Sequence, residues 1–540
     1  MTNIWILYAG CVCLSALVIL LARNRLKLFS EYEKLKAFVA TPLFWLAFAV
    51  TALLLPSVVL SSYRFFEITA GFSHFENVTD QTAAIRNLGL VLAAFVGVPF
   101  VVWRSFVAQK QVDVSEQGQI TDRINKAVEG LGTEKLVKRD GKETSEPNIE
   151  VRIGAIYALE RIAQDSDRDH VQIMEILCAY IRENAPATEA KDWSKFELQI
   201  GEEDGPLRSD WHEQWEAFEL LQQHKIEQQK RPRADVQTAL TVIGRRSARQ
   251  RQLEARAHDP NCNNEFVFDI PAPKPEEFFN PRVSEMVQLS EFLDALRDWE
   301  TQLQSYRGSR LDLRETDLRR ADFYGLNFGG ADFRFSQMQG AVFFQTQLRG
   351  AALLRTGLSW ASFSEAQMQA AQLDRAQMQG TRLDAAYMQA ALFNEAQMQG
   401  ADLKDAKLQG ASFSDAQMQG AKLGGAQMQG AQLCDTQMQN VRLINIQINE
   451  HTSLTLSKLV GACVRYFDDV TITQLKPFWA EMFGDATALP PEAEGRPAHW
   501  PDFKMENEEF LGEWRKWQAD PDTYCPPKRP KAENDKPTTT

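Results

Sequence analysis

Residues 309–449 repeat every five residues, with a large apolar side chain at each fifth position and a small residue two places before it. The large position begins at Leu313, Leu318 and Phe323 and continues to Ile448 without a polar member. Neither a helix of 3.6 residues per turn nor a strand of period two keeps such a set on one face for this length. The chain must turn after each pentad, which predicts a solenoid.

Three stretches carry a recognisable motif: Ala321-Asp322-Phe323, Ala331-Asp332-Phe333 and Ala401-Asp402-Leu403. They resemble the A-(D/N)-L-x-x repeat of the pentapeptide-repeat family. This resemblance implies the family's fold, a right-handed quadrilateral β-helix. Steps of five from 313 to 448 give 28 pentads, or seven four-sided coils. At about 4.8 Å per coil, the rod would be about 35 Å long.

The large position should face the interior of the rod. Methionine fills two of the four predicted faces, and phenylalanine or leucine fills the other two. Because an unbranched thioether fills irregular space well, we prefer a core role for these methionines over a metal or partner site. The predicted core includes Phe333, Met338, Phe343, Phe363, Met368, Met378, Met388, Phe393, Met398, Phe413, Met418, Met428 and Met438.

Glutamines flank the methionines, and we expect them to point outward as stacked amide ladders. Neutral, glutamine-rich faces favour protein contact over electrostatic capture of nucleic acid. The candidate interaction surface is Gln377, Gln379, Gln397, Gln399, Gln417 and Gln419.

Glycines such as Gly340 and Gly400 end many pentads. There a corner needs a residue that tolerates positive φ or close backbone approach.

The N-terminal region carries apolar segments. Residues 4–22 and 41–60 are each close to the length that crosses a bilayer, and residues 88–103 form a shorter third segment. Basic residues crowd the connection between the first two segments, which favours a cytoplasmic first loop. We therefore expect residues 1–110 to form a membrane domain with two or three transmembrane helices in a bacterial inner membrane. With three spans the large C-terminal domain lies in the cytoplasm, which we favour, and with two it would lie outside. The seven cysteines show no disulfide or metal spacing, which suits a reducing compartment.

Residues 111–247 show helical periodicity at 151–162, 172–183 and 235–246, which predicts a HEAT- or armadillo-like module. Residues 121–132, 151–163 and 241–246 also resemble a module that precedes the repeats in bacterial pentapeptide-repeat proteins. Residues 248–308 read as an inserted linker with an amphipathic helix near 283–303. We expect that helix to cover the open first coil, because an uncovered sheet edge invites aggregation.

After the repeats, residues 450–515 are predicted to form a C-terminal cap, with a short helix near 472–483. Residues 483–487 through 496–500 resemble the closing segment of the same bacterial proteins. Residues 516–540 are charged and rich in proline and are expected to be disordered.

The sequence contains no phosphate-binding loop, nucleophile elbow or zinc-protease motif. Among the scattered histidines, His170 follows the carboxylate residue Asp169, and we expect it to be an exposed residue at a helix start. We therefore predict no catalytic, cofactor-binding or metal-binding residues, and no enzymatic activity.

Some soluble members of the family mimic duplex DNA and bind DNA gyrase, a mechanism that needs an acidic rod. Here residues 309–449 hold thirteen acidic and thirteen basic residues, although the whole chain has a net charge of −13. We therefore favour a membrane-anchored scaffold that binds an unidentified protein, and we do not expect nucleic acid as a partner. An oligomeric membrane channel or sensor with a regulatory rod is the alternative, although its apolar segments lack the ionisable residues usual in conduction paths.

Overall fold

The computed structural model describes Tyr63 and residues 78–139, 142–187, 211–257, 265–278, 285–466, 469–489 and 493–528. The chain divides after Arg123 into two compact units. The first helix, α1, covers Val78–Leu131. All the other elements named below belong to the second unit.

Two of the three expected membrane segments, 4–22 and 41–60, lie outside the described residues. The third, 88–103, is part of α1. Within the described part of the chain, no helix is long and apolar enough to cross a membrane. The described part of α1 therefore does not bear out the expected span at 88–103.

A hairpin and a group of helices precede the rod. Strands β1 (Glu134–Arg139) and β2 (Lys142–Pro147) pair antiparallel, which the sequence reading did not predict. The helices that follow are α2 (Ile149–Asp165), α3 (His170–Asn184), α4 (Trp211–Glu227), α5 (Ala234–Gly244) and α6 (Ala248–Arg256).

Helices α2, α3 and α5 are those that the apolar periodicity predicts, and they pack together on a core that includes Ile156, Leu177 and Leu240. Below we call these three helices the helical module. The HEAT or armadillo assignment stays a prediction. Two short 3₁₀ turns, Val267–Asp269 and Pro275–Phe278, then lead to α7 (Glu285–Gln304), which corresponds to the predicted amphipathic helix.

The repeats form a four-sided parallel β-helix. Residues twenty apart pair in parallel, from Asp312 with Asp332 to Gln427 with Gln447. Each side ends in a tight turn; at one of them the Ala321 amide donates to the Leu318 carbonyl at 3.0 Å, and Arg320 between them has a φ of 57°. A positive φ at the third residue is the mark of a type II turn. The coil of twenty residues expected from the repeat is thus present.

All thirteen residues of the predicted core point inward, and each is at most 1% exposed. Phenylalanines on one face form a continuous stack, in which Phe343 lies 4.5 Å from Phe323 and 4.4 Å from Phe363, measured between ring centroids. The methionines fill the interior between such stacks. Their thioethers are therefore packed inside the rod and are not available at its surface.

The ladder continues past the predicted boundary at residue 449. One extra residue near Thr452 changes the pairing from twenty to twenty-one apart, so that Gln432 pairs with Ser453. The Thr452 hydroxyl donates to the Met428 carbonyl at 3.0 Å and so bridges the insertion. The rod then closes with three parallel strands, β3 (Arg442–Ile444), β4 (Cys463–Arg465) and, after helix α8 (Asp469–Leu475), β5 (Phe483–Gly484).

The helical module and the segment after α3 cover the open edge of the first coil. Every side of that coil forms a hydrogen bond with this cap. On the first side Arg182 donates to the Asp312 carbonyl, and the Ala187 amide donates to the Glu315 carbonyl at the corner that follows. On the second side the Asp317 amide donates to the Ala185 carbonyl. On the third side the Gln237 side chain donates to and accepts from the Asp322 backbone, and on the fourth side the Asn327 amide donates to the Gly244 carbonyl. The expectation that the helix near 283–303 performs this task is wrong. A cap must satisfy four edges facing different directions, and α3 and α5 with the segment after α3 reach them where one helix cannot.

A buried ion pair fixes the opposite end of the rod. Arg465 and Asp485 are both fully buried and lie 3.0 Å apart. The remaining Arg465 donors bond to the Asn507 side chain and the Met505 carbonyl, each at 2.6 Å. This pair therefore joins the last coil to the segment that leads into helix α9 (Asn507–Ala519).

The predicted closing segment packs against this end. The indole of Trp500 and the ring of His499 both hydrogen-bond to the Met482 carbonyl at 2.7 Å, and the ring of His499 stacks on Trp517. Tyr524 packs against the same aromatic cluster, so that ordered structure extends beyond the predicted cap boundary at 515. Residues 529–540 of the predicted tail lie outside the described residues.

Candidate partner-binding surface

The corners of the rod share one backbone conformation. Every fifth residue from Glu315 to Asn445 has a positive φ, whether it is glycine or not. Arg355, Glu395 and Asp415, for example, have φ values of 54°, 57° and 59°. Conformation alone therefore does not explain why glycine is frequent at these positions.

The position of the glycines around the rod supplies the reason. We number the four faces from the one that contains Leu313, and each corner takes the number of the face before it. The first and third corners carry mostly charged or polar residues, such as Arg375 and Asp405. The second corner is Arg320, Gly340, Trp360, Gly380, Gly400, Gly420 and Asn440, and the fourth is Gly330, Gly350, Ala370, Ala390, Gly410 and Gly430.

Helix α7 lies along the fourth corner. Leu303 approaches Gly350, Leu296 approaches Gly410, and a Cβ at Gly430 would lie 2.8 Å from Leu293. The ring of Phe268 covers Gly330 and Gly350. These side chains share one buried cluster with Ala370 and Ala390 of the same corner. Small residues at this corner therefore make room for a helix.

Helix α4 lies along the second corner in the same way. Ile226 covers Gly340, and the indole of Trp215 covers Gly400 so closely that a Cβ there would overlap the ring. Trp215 also stacks on Trp360 of the corner, with ring centroids 6.1 Å apart. The sequence reading did not find this helix, because few apolar residues mark its buried stripe.

Both helices run opposite to the direction in which the coils stack. An α-helix advances about 5.4 Å per turn and neighbouring coils are about 4.8 Å apart, so that one helical turn spans about one coil. Side chains one turn apart can therefore contact successive coils. An α-helix can therefore pack along an edge of this rod whose corner residues are small.

The predicted glutamine surface divides into two sets. Gln377, Gln397 and Gln417 are partly exposed, whereas Gln399 and Gln419 are 6% and 0% exposed. Gln379 is partly exposed. The expectation that all six point into solvent is wrong for the buried two. The second glutamine of each pair precedes the second corner, and at Gly400 that corner is covered by α4.

The glutamines still form ladders, although diagonal ones. The Gln379 side-chain amide donates to Gln397 at 2.6 Å, and Gln399 donates to Gln417 at 2.6 Å. The side-chain Oε1 atoms of Gln399 and Gln419 accept no hydrogen bond within the described residues. These amides hold successive coils together.

The described helices leave the first face, the third face and a groove beside α4 uncovered. On the third face Tyr324 is 58% exposed and stacks on Phe344, and Val342 beside them is 40% exposed. On the first corner Phe335 is 47% exposed, with the guanidinium of Arg355 over its ring. Exposed aromatic residues of this kind are typical of binding surfaces.

The groove has a volume of about 700 Å³ and runs between α4 and the third face. Gly340, Trp360, Gly380 and Gly400 form its floor. We call it the α4 groove. Its rod wall carries a row of one residue per coil, in the order Val342, Ser362, Arg382, Asp402 and Lys422, with Asp384 beside Arg382. Its helix wall consists of Glu219, Gln223, Ile226 and Glu227.

The charges on the two walls differ. On the helix wall, Glu219 and Glu227 form no salt bridge with any described cation. On the rod wall Lys422 lies 4.0 Å from Asp402, whereas Arg382 has no acidic partner among the described residues. Arg320 closes one end of the groove by donating to the Gln229 carbonyl at 2.8 Å.

His170 is not the exposed residue that the sequence suggested. It is fully buried, and its Nε2 lies 3.0 Å from Glu254, which also lies 2.8 Å from the Nε of Arg246. These three side chains join α3 to α6. The neighbouring Asp169 could not reveal this arrangement, because both partners of His170 lie about 80 residues later in the sequence. Within the described part of the chain, no cluster of His, Cys, Asp and Glu residues could hold a metal ion.

Comparison with known families agrees with the ladder. The family model for pentapeptide repeats, described as eight copies, matches residues 312–350, 341–380, 371–410 and 411–446. Residues 312–446 are therefore pentapeptide repeats. Proteins of this family are generally structural or interaction proteins rather than enzymes. No curated protein matches the sequence.

Solved structures of pentapeptide-repeat proteins match the pentapeptide rod. HetL, involved in heterocyst differentiation regulation in the cyanobacterium Nostoc, is 24% identical over 29% of this chain and 90% of its own, with a TM-score of 0.15. QnrB1, a plasmid-mediated fluoroquinolone resistance protein, is 16% identical over 37% of this chain and 89% of its own, with a TM-score of 0.19. A protein from the thylakoid lumen of Arabidopsis thaliana is 21% identical over 25% and 80%, with a TM-score of 0.15.

Proposed function

We propose that this pentapeptide-repeat protein is a membrane-tethered, non-enzymatic scaffold that binds another protein on the open faces of its rod. The observation that carries the proposal is the division of the rod surface. The described elements close both ends and two corners, and none of them covers the exposed Tyr324 of the third face, which stacks on the partly exposed Phe344. Exposed aromatic pairs beside polar residues resemble the centre of a protein interface.

The tether rests on the apolar segments 4–22 and 41–60, and the cysteines without disulfide spacing favour the cytoplasm for the rod. The positive-inside bias of the connection between the two segments supports a cytoplasmic rod only with a third span at 88–103. Cys525 is exposed, whereas burial raises the pKa of the Cys178 and Cys463 thiols to about 12 and keeps them unreactive. A membrane-impermeant maleimide should therefore label Cys525 only after the inner membrane is opened. If Cys525 is labelled in intact spheroplasts, and a Cys525→Ser variant is not, the rod lies outside the inner membrane.

Charge and coverage speak against a DNA-mimic role like that known for soluble members of the family. The acidic and basic residues of the rod balance, and α4 and α7 cover two of its edges. A rod that imitates a duplex needs continuous negative potential along open faces.

The scaffold proposal is tested by chemical crosslinking of the full-length protein in its own cells, followed by mass spectrometry. Tyr324→Lys with Phe344→Lys should remove the partner from the crosslinked set, because two cations replace an apolar anchor. Leu456→Lys is the matched control, since Leu456 is 71% exposed on a loop near the rod's C-terminal end. Phe335→Lys tests the first corner in the same way. An identical set of crosslinked proteins in the parent and in all variants would contradict the proposal.

A further inference from the structure

The α4 groove shows which kind of partner the rod can receive. Its rod wall is a straight row of five residues on five successive coils, spanning about 19 Å at about 4.8 Å per coil. About 13 residues of α-helix cover that length at 1.5 Å per residue. The groove therefore matches three to four turns of helix.

This chain already places two helices on the rod in the required direction. Helices α4 and α7 each lie along an edge and insert apolar side chains at glycine or alanine positions of successive coils. The match between helical pitch and coil spacing is a property of the rod, and so it holds equally for a helix from another protein.

The lining fixes the chemistry of such a helix. Val342, Ile226 and Trp360 form an apolar region toward the end that Arg320 closes. Glu219 and Glu227 lie eight residues apart on α4, which is about two turns, and both lack a salt bridge within the described residues. Arg382 on the opposite wall is also without an acidic partner there.

From these observations we infer that the α4 groove binds an amphipathic α-helix of a partner protein, parallel to the rod axis. The partner helix carries an apolar residue for the region of Val342 and Trp360. On one flank it carries two basic residues about two turns apart for Glu219 and Glu227, and on the other flank it carries a carboxylate for Arg382. This inference rests on the proposed scaffold function and names the partner class.

The test is photo-crosslinking in living cells with benzoylphenylalanine in place of Ser362, at the centre of the rod wall. Ala352 is the matched control, because it holds the same place in a pentad of the same coil on the first face. We expect an adduct from position 362 and not from 352. The captured segment, as a synthetic peptide, should bind the purified full-length protein and lose binding at alanine substitutions spaced three or four residues apart and on insertion of a central proline.

Charge reversal supplies a second readout on the same peptide. Glu219→Lys with Glu227→Lys should weaken peptide binding about fivefold to tenfold, as expected for two exposed ion pairs, and Lys→Glu changes in the peptide should restore it. Ser362→Trp should block binding by filling the groove, whereas Ala352→Trp should leave it unchanged.

The outcomes separate the inference from the function on which it rests. An adduct from position 352 alone, or a captured peptide whose sensitive residues alternate with a period of two, would overturn the helix groove and leave the scaffold intact. An adduct between position 362 and a second copy of this chain would overturn the inference that a different protein supplies the helix. Absence of any adduct at both positions and at Tyr324 would overturn the scaffold function itself.

Discussion

The indole of Trp215 on α4 stacks on the indole of Trp360 in the second corner, with ring centroids 6.1 Å apart and planes 27° from parallel. Trp360 itself lies over Gly380, and Trp215 lies over Gly400. The two indoles thus fill the space above these glycines, which have no side chains, along this edge of the rod. That contact explains Gly380 and Gly400 of the second corner.

Gly400→Ala should detach α4 from the rod. The new methyl group would add two costs: about 1 kcal/mol for alanine at positive φ, and about 1–3 kcal/mol for overpacking against Trp215. Hydrogen exchange of the amides in 211–227 measures the effect directly. Gly325→Ala is the control, because Gly325 has a φ of 65° but nothing within 4 Å of a Cβ. Equal loss of protection in both variants would show that conformation, not packing, selects glycine.

Phe363→Ala should destabilise the rod by about 3–5 kcal/mol, because it removes a fully buried ring and leaves a cavity. Phe363 lies at the end of the stack through Phe343 and Phe323. In a repeat array the loss can spread unevenly to neighbouring coils. Urea unfolding followed by hydrogen exchange of individual coils measures both the size and the extent. A change below 1 kcal/mol would contradict the packing described for the third face.

Arg465→Met should cost about 3–5 kcal/mol, because it leaves the carboxylate of Asp485 buried without its cation. The double variant Arg465→Met with Asp485→Leu should cost less than Arg465→Met alone, since no uncompensated charge remains. The measurement is chemical unfolding monitored by fluorescence of the C-terminal tryptophans, which include Trp514. A double variant at least as unstable as both single variants combined would show that the hydrogen bonds, and not the charge pair, hold the cap.

Acidification should loosen the C-terminal cap through His499. Burial lowers the pKa of this ring below its usual value of 6.5, and the positive charge of Arg496 adds to the effect. The unfolded chain therefore binds a proton first as the pH falls, so that stability is fully present above pH about 6.5 and decreases below it, down to the folded pKa. The difference in melting temperature between pH 7.5 and pH 5.5 should be smaller in His499→Gln than in the parent. Identical differences would rule out this histidine as the source.

The coil of the rod could be predicted because each pentad encodes its own structure. The inward residue, the small residue before it and the turn after it are all local, so that Phe333 or Met418 can be assigned without knowing any partner. The insertion near Thr452 breaks the letter pattern while the ladder continues, because one added residue fits in a corner loop. The five-residue pattern of the sequence ends there, whereas the hydrogen-bonded ladder continues.

The packing on the outside of the rod could not be predicted from the pentads. The pentads explain Gly400 and Gly410 by positive φ or close backbone approach, and not by the packing of a helix. The contrary signal was also present, because Glu395 and Asp415 hold equivalent positions in another corner. Helix α4 was missed since its buried stripe, with Trp215, Phe218 and Ile226 as its apolar members, is narrow and includes the polar Gln222.

The central claim is that helices lie along the glycine corners and thereby define the α4 groove. Its most direct test is disulfide formation in a variant whose natural cysteines are replaced and which carries Ile226→Cys with Gly340→Cys. The structure predicts rapid crosslinking of this pair on oxidation, because Ile226 covers Gly340. The control pair Ile226→Cys with Gly420→Cys, four coils or about 19 Å away, should not crosslink. Equal crosslinking of both pairs, or of the control pair alone, would contradict the claim.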